Sequence, residues 1–270
     1  GDSGIGYAAV QAFYLECASV LLVGHSESKS RAAYEEVSAL PVPASCAGNA
    51  PKVAWGAADI RNATQALGIV SQAVRELGGL DIAVNNAGSA GGSTKQLGDA
   101  AFLDEHGDLY DESILNINIK GTLKCMHAEV AYWNLTNTTG VIVNVASIAG
   151  EVSWAGTLYG SSKWAMLGFT REAALQYAKH GIRINALAPG CVNTSMLRDG
   201  LSPTDPRWQA RRKYYEDMIP MQRIGEPWEM AGPITFLASD MASYVTGATL
   251  TADGDLSQAA PYGMHHGLEH

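Results

Sequence analysis

Short apolar, β-branched runs alternate with longer amphipathic stretches, and this alternation constrains the fold more than any other feature of the sequence. Val20-Leu21-Leu22-Val23, Lys52-Val53-Ala54-Trp55, Leu80–Val84, Gly140–Val145, Ile182–Leu187 and Ala248–Thr251 have the length and composition of strands. The spacing between them predicts helices over about 5–18, 28–39, 61–77, 108–134, 156–180 and 227–239. Nearly continuous apolar strands imply burial on both faces. Alternation with helices implies right-handed crossovers and a parallel sheet covered on both sides. The expected fold class is α/β, a doubly wound parallel sheet forming one domain over 1–256, with a tail over 257–270. The 270 residues, 47% apolar and 17% charged, suffice for such a core and exclude wholesale disorder.

A net charge of -9 without a Lys/Arg block argues against electrostatic binding to nucleic acid or to a membrane surface. No apolar run reaches the ~18 residues of a membrane span, and no signal-peptide pattern opens the sequence. Cys17, Cys46, Cys125 and Cys191 lie far apart without a CxxC pair. They are expected to be reduced, buried thiols of a cytoplasmic protein, with no metal site. The ending Gly267-Leu268-Glu269-His270 looks like part of an expression tag. His265 and His266 beside it are taken as tail.

The sequence opens on Gly1-Asp2-Ser3-Gly4-Ile5-Gly6 directly before a helix pattern, with no strand ahead of it. A glycine turn at a helix N-terminus lets the backbone approach a pyrophosphate. Gly4 and Gly6 fit that use, and Ser3 offers a hydroxyl. The next strand ends at Gly24-His25-Ser26, where an acid would accept from the ribose 2′-hydroxyl of NAD and a base would favour the 2′-phosphate of NADP. No acid stands at 24–26, whereas His25, Lys29 and Arg31 are near, opposed by Glu27. The balance tips to NADP(H) over NAD(H).

Tyr159-Gly160-Ser161-Ser162-Lys163 opens a long amphipathic pattern. At i and i+4 on a helix, Tyr159 and Lys163 share a face with Cβ atoms about 5–6 Å apart. A nearby ammonium favours phenolate and should pull the tyrosine pKa down, as proton transfer to or from a substrate oxygen requires. Ser147 lies just past the strand ending at Val145. In a parallel sheet, ligand-facing residues gather beyond the carboxyl ends of strands, so Ser147 can hydrogen-bond the same oxygen. Asn85-Asn86-Ala87-Gly88 and Pro189-Gly190-Cys191-Val192-Asn193-Thr194 follow strands in the same way. Asn118 falls in a predicted helix, where asparagine is intrinsically unfavourable.

These motifs, in this order over nearly the whole chain, resemble the short-chain dehydrogenase/reductase family in its single-domain branch. The resemblance implies a Rossmann-type domain, an NAD(P) cofactor and a homotetramer with the 108–134 and 156–180 helices at an interface. It implies that Tyr159 is the general acid/base and that Lys163 lowers its pKa and binds the nicotinamide ribose. Ser147 would orient the substrate oxygen and Asn118 would hold a relay water. The turn Ser3, Gly4, Ile5 and Gly6 would meet the cofactor phosphates, and His25 and Ser26 the adenosine ribose. Asp59 and Ile60 would flank the adenine, Asn86, Ala87 and Gly88 would line the adenosine side, and Pro189, Gly190, Val192 and Thr194 would hold the nicotinamide. Asn85 looks like a sheet brace. The chain departs from the family pattern in lacking its first strand and leading Thr-Gly, and in having Asp253-Gly254-Asp255 for Asp-Gly-Gly.

The irregular stretch 194–226 reads as a lid. Its Met196, Tyr214 and Tyr215, with Trp154 and residues after Gly88, are expected to wall the pocket for an apolar or aromatic small molecule. The expected reaction interconverts a carbonyl compound and a secondary alcohol, with carbonyl reduction favoured. The alternative is a dinucleotide-binding redox sensor or scaffold without turnover.

Overall fold

The computed structural model describes residues 1–91 and 102–263. The expected strands form β1 (Val20–Gly24), β2 (Val53–Ala57), β3 (Ile82–Asn85), β4 (Val141–Val145), β5 (Arg183–Pro189) and β6 (Thr249–Ala252). Pairing is parallel throughout, with Leu22 opposite Trp55, Val143 opposite Asn185 and Ala188 opposite Thr251. The sheet is divided: β1 and β2 form one sheet, and β3-β4-β5-β6 form another. Among the described residues no strand joins the facing edges of β1 and β3.

Helix α1 (Gly4–Leu15) closes that division. Its Ala9 packs into a cluster with Val143, Val145 and Leu187, and with Met230 and Ile234 of α8 (Pro227–Ala238). Its Val10 and Tyr14 pack with Leu22 and with Ala33 and Val37 of α2 (Glu27–Ser38). The opposite face of the larger sheet presents Ile142 and Ile184 to Met126, Val130 and Trp133 of α5 (Thr122–Thr136). Val143 and Ile142 thus serve opposite clusters, as strand alternation requires of a sheet buried on both faces. Helices α3 (Ala63–Leu77) and α6 (Thr157–Tyr177) complete the layers.

Three differences from the sequence reading have physical causes. The helix expected over 108–134 becomes a short α4 (Ser113–Leu115), a π-turn over Asn116–Gly121 and α5. The stretch 194–226, expected as a lid, contains α7 (Pro206–Met218), started by an Asp205 cap and Pro206. Trp208 is its one wholly buried residue, and Arg212–Glu216 and Lys213–Asp217 pairs cover its surface, so it shows no amphipathic period. The expected tail begins with α9 (Leu256–Gly263), where Asp253 accepts from the Asp255 and Ser257 amides. His265 and His266 lie outside the described residues.

The expectation of four reduced thiols is overturned. Cys17 and Cys46 are joined in a disulfide, while Cys125 and Cys191 are free and buried. Cys17 follows α1, and Cys46 ends a short helical turn over Ala44–Cys46, so folding brings together cysteines that no motif linked. In denaturant the untreated protein should show two reactive thiols, rising to four after reduction. Reduction should lower stability by about 3 kcal/mol, the usual cost of opening a loop of this size. Four thiols before reduction would contradict the bridge.

Candidate active site

The carboxyl ends of β1, β3, β4 and β5 open onto one edge of the molecule, and the sequence motifs gather there. At β4, Ser147 stands in extended backbone and its Oγ accepts from the Ala149 amide at 3.1 Å. Tyr159 lies in the first turn of α6, half-buried, and forms a hydrogen bond with Ser147. Lys163, one turn further, is buried; its Nζ donates to the Val145 carbonyl at 3.0 Å and sits 5.6 Å from the Tyr159 ring centre. Ser147, Tyr159 and Lys163 therefore form one cluster.

The electrostatics differ from the expectation in one respect. Burial is the largest influence on Tyr159 and raises its pKa above the ordinary value, while the Ser147 hydrogen bond works to lower it. Burial also brings Lys163 down to about 8, so at neutral pH most of its ammonium remains charged. A buried lysine held by one carbonyl is poised to strengthen its hold on any oxygen-rich partner placed beside it.

Asn118 is wholly buried in the π-turn. Its Nδ2 donates to the Ser89 carbonyl at 2.8 Å and to Ser162 Oγ at 2.9 Å, and its Oδ1 accepts from the Ser89 amide at 2.8 Å. Ser162 in turn donates to the Tyr159 carbonyl at 2.7 Å. Both amide protons of Asn118 are thus committed to bracing the turn after β3 and the first turn of α6. Ser89 and Ser162 were not singled out from the sequence. Ser162 could have been noticed as a small polar residue between Tyr159 and Lys163 on a helix that must pack closely.

The glycine turn meets the other loops. Gly4 has φ 52°, a region that favours glycine, and an added Cβ would stand 3.1 Å from Thr194 Cγ2. A Cβ on Gly6 would come within 2.6 Å of Asn86 Nδ2. Ser3 makes no side-chain cap on α1, and no acid stands in its first turn, so no side-chain hydrogen bond caps this helix N-terminus. These observations fit a dinucleotide phosphate group, which α1 would hold through its first main-chain amides at Gly4, Ile5 and Gly6. Gly88 lies beside Asn118 Oδ1 and Lys163 Nζ, at 3.4 and 3.6 Å from an added Cβ, and Ala87 precedes it in the same loop.

The remaining expected residues are distributed as follows. Ser26 caps α2 by accepting from the Lys29 amide, and His25 precedes it after β1. The Asp59 carboxylate is engaged by Arg61 at 2.9 and 2.7 Å, which holds its pKa below the ordinary range. Ile60 packs against Gly121. Pro189 ends β5 and the Gly190 amide donates to Ala252. Val192 is buried and bridges to Gly225, while Thr194 Oγ1 accepts from the Leu197 amide at 3.3 Å. Of the pocket residues, Trp154 and Tyr215 pack into an apolar cluster around Ile148, Trp208 and Ile224. Met196 and Tyr214 lie outside that cluster and are exposed.

Asn85 braces the sheet, as expected. Its Nδ2 donates to Asn144 Oδ1 at 3.1 Å and to Glu129 Oε2 at 3.2 Å. Asn144 then donates to Thr170 Oγ1 at 2.9 Å.

A family model described as Enoyl-(Acyl carrier protein) reductase matches residues 1–257. The chain is 34% identical over 256 residues to 2,5-dichloro-2,5-cyclohexadiene-1,4-diol dehydrogenase of Sphingobium indicum, covering 94% of this chain and 93% of that protein. It is 34% identical to the L-rhamnose 1-dehydrogenase (NAD(P)(+)) of Azotobacter vinelandii over 94% of this chain and 92% of that one. Against the 3alpha-hydroxysteroid dehydrogenase of Mediterraneibacter gnavus the identity is 32%, over 94% and 93%. The crystal structure of levodione reductase superposes with a TM-score of 0.80 at 30% identity, over 97% of this chain and 96% of that one. The chain belongs to the short-chain dehydrogenase/reductase family, whose members carry out NAD(P)-dependent hydride transfer on small molecules.

Glu129 offers a test of the brace beneath this site. Burial raises its carboxyl from 4.5 to about 7, against the lowering effect of the Asn85 hydrogen bond. Between those values the folded state keeps a proton that the unfolded chain has lost, so this group makes stability fall as pH rises, and the loss is complete above the folded value. Glu129→Gln should remove that fall and be more stable than the wild type at pH ~8 by up to about 3 kcal/mol. Denaturant unfolding at several pH values checks this; identical pH profiles would contradict it.

Proposed function

We propose that the chain is an oxidoreductase that interconverts a carbonyl compound and a secondary alcohol, with Tyr159 as general acid/base. The observation that carries this reading is the cluster of Ser147, Tyr159 and Lys163 at the carboxyl end of β4, open to the same edge as the glycine turn. A bound nicotinamide cofactor supplies or accepts the hydride. In the reductive direction the Tyr159 phenol donates its proton to the substrate oxygen while the Ser147 hydroxyl holds that oxygen. Burial raises the Tyr159 pKa, so the protonated phenol is the resting form from which a carbonyl oxygen would receive its proton. In the oxidative direction Tyr159 takes the alcohol proton, and the Lys163 ammonium stabilises the phenolate that must precede this. Lys163 also serves as ligand to the nicotinamide ribose. Asn118 acts as a positioning residue; a relay water would bond to the free lone pair of its Oδ1 or to nearby main chain.

The same proposal assigns Asn86, Ala87 and Gly88 to the adenosine side, Asp59 and Ile60 to the adenine, and Pro189, Gly190, Val192 and Thr194 to the nicotinamide end. Trp154 and Tyr215 face the substrate, and their apolar cluster supports an apolar or aromatic substrate. The unit over 1–256 carries the whole site, with 194–226 as its lid. Choice between NADP(H) and NAD(H) turns on opposed charges near the end of β1: His25, Lys29 and Arg31 favour NADP(H), while Asp2 and Glu27 oppose it.

A homotetramer is supported by exposed Leu123 and Leu135 on α5 and Trp164 and Leu175 on α6. Among the described residues no helix is long and apolar enough to cross a membrane. The free, buried Cys125 and Cys191 fit the expected cytoplasmic location, whereas a disulfide such as Cys17–Cys46 is uncommon there.

Tyr159→Phe should reduce turnover at least ~10²-fold while leaving dinucleotide binding intact. Nicotinamide absorbance with a panel of cyclic ketones and secondary alcohols, alongside cofactor fluorescence, reads both quantities. Retained turnover would sink the assignment.

A further inference from the structure

The end of β1 holds a group of atoms that the catalytic residues leave unused. Gly24 closes the strand without a side chain. An added Cβ there would stand 2.2 Å from Asp2 Oδ2 and 2.6 Å from Ser30 Oγ. The Asp2 carboxylate therefore occupies the space that a side chain at position 24 would take. Asp2 Oδ2 and Ser30 Oγ are both buried atoms without a hydrogen-bond partner, and Ser30 as a whole is fully buried. Buried polar atoms are nearly always paired, so two unpaired ones at one corner point to a missing hydrogen-bonding group.

The backbone fixes this arrangement. The Gly1 nitrogen donates to the Val23 carbonyl at 2.7 Å and holds the turn against the end of β1. Asp2 Oδ1 receives a bond from Ser3 Oγ at 3.3 Å on the exposed side. The acid absent from 24–26 is thus delivered from across the gap, by the glycine turn.

On the reading of the chain as a dinucleotide-dependent oxidoreductase, on which this inference rests, that corner meets the adenosine ribose. We propose that Asp2 is the residue that selects the cofactor, and that it selects NAD(H): its carboxylate accepts from a ribose hydroxyl and repels a 2′-phosphate. One of the opposing cations is compromised. Arg31 is paired with Glu35 at 3.0 Å on the exposed face of α2. The N-terminus of α2, which would otherwise attract a phosphate, is capped by Ser26 and carries Glu27 in its first turn. A hydroxyl donating to a carboxylate is among the stronger neutral-to-charged bonds, and a phosphate dianion in its place meets like charge.

Fluorescence titration of NADH and NADPH into the whole chain tests this. The wild type should bind NADH roughly tenfold or more tightly than NADPH, and Asp2→Asn should bring the two affinities together by weakening NADH and strengthening NADPH. Equal or tighter NADPH binding by the wild type would overturn the inference, and that measurement needs no variant to fold. So would an Asp2→Asn protein that loses both nucleotides equally, the mark of a merely structural carboxylate. If the wild type binds neither dinucleotide, the oxidoreductase reading fails as well; binding without discrimination defeats the cofactor choice alone.

Discussion

Helix α1 is the element on which the rest of the structure depends. Among the described residues the two sheets share no strand pairing, and β1 and β2 are joined to β3-β4-β5-β6 by side-chain packing through this helix and through α3 against α5. Consecutive residues serve the two sides: Ala9 enters the cluster over the larger sheet and Val10 the cluster over the smaller one. Polar ties reinforce the second contact, with Tyr7 donating to Glu36 at 2.7 Å and Tyr14 to the Leu40 carbonyl at 3.2 Å. The Cys17–Cys46 bridge then fastens the segment just beyond α1 to the loop that leads into β2. Because the N-terminus of the same helix carries the glycine turn, the relative placement of the sheets and the geometry of the cofactor edge are one problem.

Under the cluster of Ser147, Tyr159 and Lys163 the core is polar in a particular way. Asn85, Asn118, Asn144 and Ser162 are amides and hydroxyls, and each pairs with a named partner. Neutral groups that both donate and accept can fix loop positions in a low-dielectric interior without the desolvation cost of a charge. Lys163 and Glu129 are the ionisable exceptions among these braces, and burial shifts both toward neutrality. The fold therefore concentrates its charge cost at Lys163, beside the phenol of Tyr159.

The strands were legible because β-branched apolar runs buried on both faces have few other uses. Ser147, Tyr159 and Lys163 were legible because their spacing puts them at one strand end and on one helix face. The π-turn at Asn116–Gly121 was not, since its cause is tertiary: Asn118 is anchored by Ser89 from a different loop. Helix α7 was hidden because its surface is held by ion pairs and only Trp208 is wholly buried. The disulfide was invisible to motif reasoning, as its cysteines meet only once α1 and the loop before β2 are placed. The rise in the Tyr159 pKa also escaped sequence arithmetic. Proximity to Lys163 was readable there, whereas the burial that sets the direction of the shift was not.

The segment over 194–226 is tied at its base to the loop that follows β5. Val192 bridges to Gly225, and Asn193 Nδ2 donates to both carboxylate oxygens of Glu226 at 3.1 Å. Arg198 donates to Asn193 Oδ1 at 2.8 Å, which draws the first turn of that segment onto the same anchor. Thr194, between these residues, lies against Gly4 closely enough that a methyl group there would have to displace it. The glycine turn that would hold the phosphates and the segment that would cover the substrate therefore touch directly.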